Sequence, residues 1–219
     1  MKQVTKILSL FLLTGIVAAC GGPQGDKAKT GEAQEVSVTT GDVSMKIDNA
    51  ASTIEWTGAK PTGKHNGTIG ISEGNLMLTD GNIVGGKFTI DMNSIVNLDL
   101  TSAEDNGKLV GHLKSPDFFD AAKYPTAVFE ITSSEAVSGN ANATHNITGN
   151  LTMKDVTKSI TFPVNVVIDG NQLKANTPEF LIDRTQWNVQ YGSKTIFDNL
   201  KDKFINDEIA LKISLSAAL

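Results

Sequence analysis

From about residue 53 onward, apolar and polar side chains alternate with a period of two. Ile54, Trp56 and Gly58 share one face against Thr53, Glu55 and Thr57, and Ile69 and Ile71 alternate with Thr68 and Gly70, as half-buried antiparallel strands require. Leu76 and Leu78 follow Glu73-Gly74-Asn75, which reads as a turn. Asp80-Gly81 reads as another and leads to a long run with Val84, Gly86, Phe88, Ile90 and Met92 on one face and Lys87, Thr89 and Asp91 on the other. The pattern returns in residues 126–131, in Ile147, Gly149, Leu151 and Met153, and in Ile160, Phe162, Val164, Val166 and Ile168. Leu173 to Ile182 and then Ile209, Leu211, Ile213 and Leu215 complete about eight or more strands. Closure is what removes the edges of such a sheet, so an antiparallel β-barrel is the expected fold. A barrel of about eight strands holds one small ligand if its inner side chains do not fill it. The glycines at 58, 70, 86 and 149 read as places where the sheet bends and coils, with clearance for a ligand as the alternative.

One stretch breaks the alternation. Leu109, Leu113 and the Phe118-Phe119 pair sit at roughly helical spacing, and Pro116 disfavours the α conformation at Ser115, so a short helix is predicted to stop there. Asp120 or the Tyr124-Pro125 dipeptide returns the chain to an extended run. Two adjacent phenylalanines on a short insertion in an all-β chain read either as a lid over a cavity or as a connector that packs its own aromatics. A second irregular stretch from Thr185 to Leu200 predicts one helical turn or two around Ile196 to Phe204. Short helical insertions of this kind are the only departures from the all-β pattern.

The N-terminal region follows different rules. Lys2 and Lys6 precede an apolar run from Ile7 to Ala19 that is too short to span a bilayer and reads as a signal-peptide core, residues 1–19. The run ends in Val17-Ala18-Ala19-Cys20, which resembles a bacterial lipoprotein signal whose cleavage exposes Cys20 for lipidation. Cys20 is the one cysteine of the chain, so no internal disulfide can form and stability must come from the core. Residues 20–44 carry almost no large apolar side chain and are predicted to be a flexible tether, with the folded domain spanning residues 45–217. The net charge is −5, and removing residues 1–19 takes away two lysines. An acidic chain without basic clusters argues against nucleic acid as a partner and against electrostatic attachment to anionic lipid. Acyl chains on Cys20 are left as the membrane anchor, and the expected location is the bacterial cell envelope, periplasmic or associated with the outer membrane.

The run from His112 to Asp120, followed by Lys123-Tyr124-Pro125-Thr126 and Phe129, resembles the central motif of the YceI-like family of lipocalin-like bacterial polyisoprenoid-binding proteins. The resemblance continues through residues 149–158 and through Phe180-Leu181-Ile182-Asp183-Arg184-Thr185. It implies a barrel whose interior holds a long apolar chain. The lipocalins proper carry Gly-x-Trp in their first strand, whereas here the order is Trp56-Thr57-Gly58.

Catalytic chemistry finds no carrier. His65, His112 and His145 lie far apart with no metal-ligand spacing, and neither a phosphate loop nor a Gly-x-Ser-x-Gly elbow is present. Asp117 and Asp120 read as helix-end and turn residues, and the Asn-x-Thr sequons are incidental in a lipoprotein. Arg184, three positions before Trp187, is expected to stack on that indole or to pair with a carboxylate at a barrel end, with recognition of a ligand head group as the alternative. The candidate ligand-binding residues are Trp56, Phe88, Phe129 and Phe162 in the barrel, Leu113, Phe118 and Phe119 in the lid, and Arg184; no cofactor or metal is expected. Binding of a polyisoprenoid, quinone or fatty acid derivative is the leading reading, and a membrane-tethered interaction module with a filled barrel is its rival.

Overall fold

The computed structural model describes residues 22–36, 41–139 and 141–219. Cys20 and the expected signal peptide lie outside them. Twelve strands and one α-helix follow in the order β1 (Asp26–Lys27), β2 (Lys29–Glu32), β3 (Val43–Ile47), β4 (Thr53–Lys60), β5 (Gly63–Thr79), β6 (Asn82–Asn97), α1 (Ala103–Lys114), β7 (Thr126–Ala136), β8 (His145–Met153), β9 (Val156–Asp169), β10 (Gln172–Asn176), β11 (Phe180–Asp183) and β12 (Glu208–Ala218).

Strands β4 to β9 are successive antiparallel neighbours. β12 then pairs with β4 on one side, from Ala210↔Thr57 to Ser214↔Thr53, and with β10 and β11 on the other. Since β10 also pairs with β9, the sheet closes into a ring of eight strands, an all-β, lipocalin-like antiparallel barrel. β10 and β11 are two halves of one ring position. Pro178, which has no N–H to offer a ladder, falls between them.

Beyond that break β11 no longer reaches β9, and the chain fills the opening with its own N-terminal segment. β2 runs antiparallel to β9, from Lys29↔Thr161 to Glu32↔Lys158, and β1 runs parallel to β11, with Asp26 opposite Phe180. The flexible tether expected over residues 20–44 is therefore corrected: residues 26–32 are a strap across the barrel seam. All six strand residues are exposed, so their order comes from backbone pairing with two free sheet edges, which side-chain composition does not report. Asn150 clasps the strap at Gln34, accepting from its backbone N–H at 2.9 Å and donating to its carbonyl at 2.7 Å. Lys27 pairs with Glu208 at 2.5 Å and Lys158 with Glu32 at 2.7 Å.

Two other local expectations change. Glu73-Gly74-Asn75 is not a turn but the middle of the seventeen-residue β5, where the register against β6 shifts between Ile71 and Glu73. A bulge bends a strand without ending it. A further shift between Met77 and Leu78 turns Ile83 inward, 6% exposed, in place of Val84.

Helix α1 begins where Ser102 accepts a hydrogen bond from the Asp105 backbone N–H, with Glu104 and Asp105 in its first turn. It stops at Lys114, before the extended Ser115 and Pro116, as the residue types require. No helix residue is fully buried, and α1 lies against β6. Two 3₁₀ turns add to it. Lys201–Lys203 falls inside the expected Ile196 to Phe204 window, and Arg184–Trp187 was not expected.

Candidate ligand-binding cavity

The inward faces of the ring enclose a cavity of about 510 Å³. All eight candidate residues, Trp56, Phe88, Leu113, Phe118, Phe119, Phe129, Phe162 and Arg184, line it. Strand pleat places the first group: Phe88 in β6 pairs with Phe129 in β7, and their ring centroids stand 6.3 Å apart. Phe129 meets Phe162 at 5.5 Å, and Phe162 stacks on Phe180 at 4.6 Å with the rings nearly parallel at 2°. An aromatic band thus crosses the interior from β6 to β11. Sequence reasoning missed Phe180 because Phe180, Leu181 and Ile182 are all buried and leave no alternation to read.

Two glycines make room for these rings. A Cβ on Gly149 would stand 2.5 Å from the Phe129 ring, and one on Gly67 would stand 2.7 Å from the Trp56 ring. Trp56 and Gly67 are direct partners across β4 and β5, whereas Gly149 pairs with Ile131 and lies diagonally from Phe129 across β7 and β8. Trp56 Nε1 is buried with no hydrogen-bond partner among the described residues.

The turn after α1 sets the two lid phenylalanines apart. Phe118 is 6% exposed, wedged between His112 at 4.9 Å and Tyr191 at 5.3 Å, with the Arg184 guanidinium 5.8 Å over its ring. Lys154 Nζ donates to its carbonyl at 2.6 Å, and partial burial holds that ammonium below its usual pKa. Phe119 is only half-buried; its N–H donates to the Leu113 carbonyl at 3.1 Å. Both rings face the same cavity, with Phe118 the more firmly held.

Arg184 is almost fully buried, and its guanidinium donates to three backbone carbonyls: Nε to Asn206 at 3.1 Å, Nη1 to Val189 at 2.7 Å and Nη2 to Ile205 at 3.1 Å. Asp207 stands 3.7 Å from Nη2. Burial lowers the arginine pKa and Asp207 opposes that shift. Stacking on Trp187 is corrected: that indole is fully buried and donates Nε1 to the Leu151 carbonyl at 2.9 Å, while the arginine stands over Phe118. The expected pairing with a carboxylate at a barrel end is what the structure shows.

The cavity opens among α1, the β4–β5 turn and the segment before β12, where Lys60, His65, His112, Tyr191, Lys203 and Asn206 reach it. None of these was singled out from the sequence as a site residue; they are scattered along it and converge only through closure. Among the described residues neither Asp nor Glu lines the cavity. Asp99 and Asp117 stand behind the histidines, with Asp99 Oδ2 2.8 Å from His65 Nδ1 and Asp117 Oδ2 3.1 Å from His112 Nε2. Burial tends to raise the Asp99 pKa. Hydrogen bonds from Asn66, His65 and Asn97 together outweigh it and hold the carboxyl at about 2. Among the described residues no group of three or more His, Cys, Asp or Glu could hold a metal ion. What the arrangement can do is take an apolar chain out of water, in a largely apolar lining whose buried polar members are Arg184 and Thr177 and whose other polar groups reach it at the rim.

A closed antiparallel barrel with an aromatic-lined interior and a short helical flap defines a lipocalin-like protein. The chain belongs to the YceI family, whose model, described as a YceI-like domain, matches residues 45–217. UPF0312 proteins are among its relatives: one from Pseudomonas paraeruginosa is 40% identical over 85 residues and one from Vibrio parahaemolyticus 35% identical over 97. The match covers 39% of this chain and 39% of the first relative, and 41% and 50% for the second. Of solved structures, BcnA of Burkholderia cenocepacia superposes with a TM-score of 0.61 at 23% identity, covering 78% of this chain and 98% of its own. A polyisoprenoid binding domain from Saccharophagus degradans, implicated in plant cell wall breakdown, gives 0.56 at 16% identity, covering 80% and 97%.

Proposed function

We propose that this chain is a non-catalytic carrier or store for a long-chain apolar ligand, a polyisoprenoid, quinone or fatty acid derivative, held inside the barrel and attached to the bacterial cell envelope through lipidated Cys20. The observation that carries the reading is the cavity of about 510 Å³ inside the closed ring, crossed by the Phe88 to Phe180 aromatic band. That volume falls in the range of about 300–1,000 Å³ common for small-molecule sites. Burying some ten methylenes at about 0.8 kcal/mol each yields about 8 kcal/mol gross, the scale of micromolar binding before ordering costs. Membership of the YceI family supports this chemistry, and the polyisoprenoid binding named for the Saccharophagus degradans domain agrees with it.

Native mass spectrometry and organic extraction of the purified protein, followed by titration with a fluorescent fatty-acyl or polyprenyl probe, test the reading. A co-purifying lipid at one per chain, or saturable probe binding displaced by unlabelled lipid, is expected. A barrel that is consistently empty and refuses the probe overturns it in favour of an interaction module.

A further inference from the structure

Where the chain enters the fold bears on how the cavity meets its surroundings. Gly22 lies against the rim of the mouth: a Cβ built on it would stand 2.9 Å from Asn206 Nδ2, and Asn206 lines the cavity. The Asn206 N–H in turn donates to the carbonyl of Ala59, another lining residue, at 2.9 Å. Covalent geometry holds the Cα of Cys20 within about 7 Å of that of Gly22. The described chain therefore starts beside the open end of the barrel, two positions after Cys20.

The same rim has the surface a bilayer would receive. Tyr191, Ile196 and Phe197, on the loop between the 3₁₀ turn and β12, are exposed at 44%, 42% and 47%, and Tyr191 also lines the cavity. Lys60 and Lys203 reach the mouth as exposed side chains with no ion-pair partner among the described residues. Asp198 and Asp202 lie on the loop nearby and Asp99 and Asp117 back the rim histidines, but among the described residues no carboxylate lines the opening itself, in a chain whose net charge is −5. Apolar tips flanked by lysines suit an interface of acyl chains and anionic head groups. Val167 and Ile168 are also exposed at the far end of the barrel, beside Asp169, so exposure alone does not choose an end. The position of Gly22 does.

We propose that the barrel docks mouth-down on a lipid bilayer, with Ile196 and Phe197 entering the interface, so that an apolar ligand passes between membrane and cavity with little exposure to water. The docking rests on the reading of Cys20 as a membrane anchor. It is tested with the full chain, recovered from membranes and reconstituted into vesicles of phosphatidylethanolamine and phosphatidylglycerol, with and without brominated acyl chains. Phe197→Trp and Val167→Trp place reporters at the two ends, and the emission each adds over the parent protein is followed. Bromolipid is expected to quench the added emission at position 197 and leave that at 167 unchanged. Quenching at 167, or equal quenching at both, overturns the orientation, and quenching at neither in a vesicle-bound protein shows a barrel held clear of the surface. If Phe197→Trp fails to fold by circular dichroism, Ile196→Trp serves in its place. A chain that does not fractionate with membranes defeats the anchor and the docking together, while probe binding in solution still judges the cavity on its own.

Discussion

Phe118 and Phe119 are neighbours in sequence with the same side chain, and the turn after α1 gives them different work. Phe118 is locked among His112, Tyr191 and Arg184, whereas Phe119 is half-buried at the cavity wall. Phe118→Ala is expected to cost about 3–5 kcal/mol, as for a packed aromatic, and to lower the thermal midpoint. Phe119→Ala should weaken binding of a fluorescent acyl probe at a nearly unchanged midpoint. Equal loss of probe affinity per unit of lost stability in both variants would show that the segment is a connector. The sequence alone pointed to such a division without assigning it, because the assignment depends on where the chain turns after Pro116, and Asp120, at φ 49°, sets that turn. Residues facing the barrel interior were legible for the opposite reason: in a strand, a period of two decides the face. It failed at Val84, where one bulge reverses every side chain beyond it.

Among the elements, the strap of β1 and β2 is the one that composition concealed. Its residues are polar and exposed, and its partners lie more than a hundred positions away in β9 and β11. Backbone pairing across such a distance leaves no local trace. Helix α1, by contrast, announced its end through Ser115-Pro116 because that signal is local and steric. The strap's dependence on its clasp can be measured. Asn150→Ala removes two hydrogen bonds to the backbone of Gln34, and at about 0.5–1.5 kcal/mol for each the strap should loosen before the barrel does. Amide exchange is expected to quicken in residues 29–34 while β6 to β8 keep their protection. Uniform acceleration through the ring would instead make the strap part of a single cooperative unit.

For the whole molecule, the closed all-β ring was legible from strand number and alternation, and the family from motifs spread over the domain. The cavity mouth was not, since Lys60, His112, Tyr191 and Lys203 come together only when β12 meets β4. Attachment to the envelope is checked by Cys20→Ser, which should move the protein from the detergent phase to the aqueous phase on partitioning; unchanged partitioning would exclude the thioether-linked anchor. Pairing of β12 with β3, β4, β10 and β11 has a further consequence, in time rather than space. A chain delivered from its N-terminus presents β3 and β4 long before Glu208–Ala218 exists to join them. Until then the sheet is an open trough, its apolar floor bare and its edges unpaired, and contacts this distant in sequence form slowly. The hazard of aggregation is therefore concentrated in the interval before the last strand arrives, and protection by a holding chaperone is worth most during that interval, when the finished barrel's stability cannot yet help.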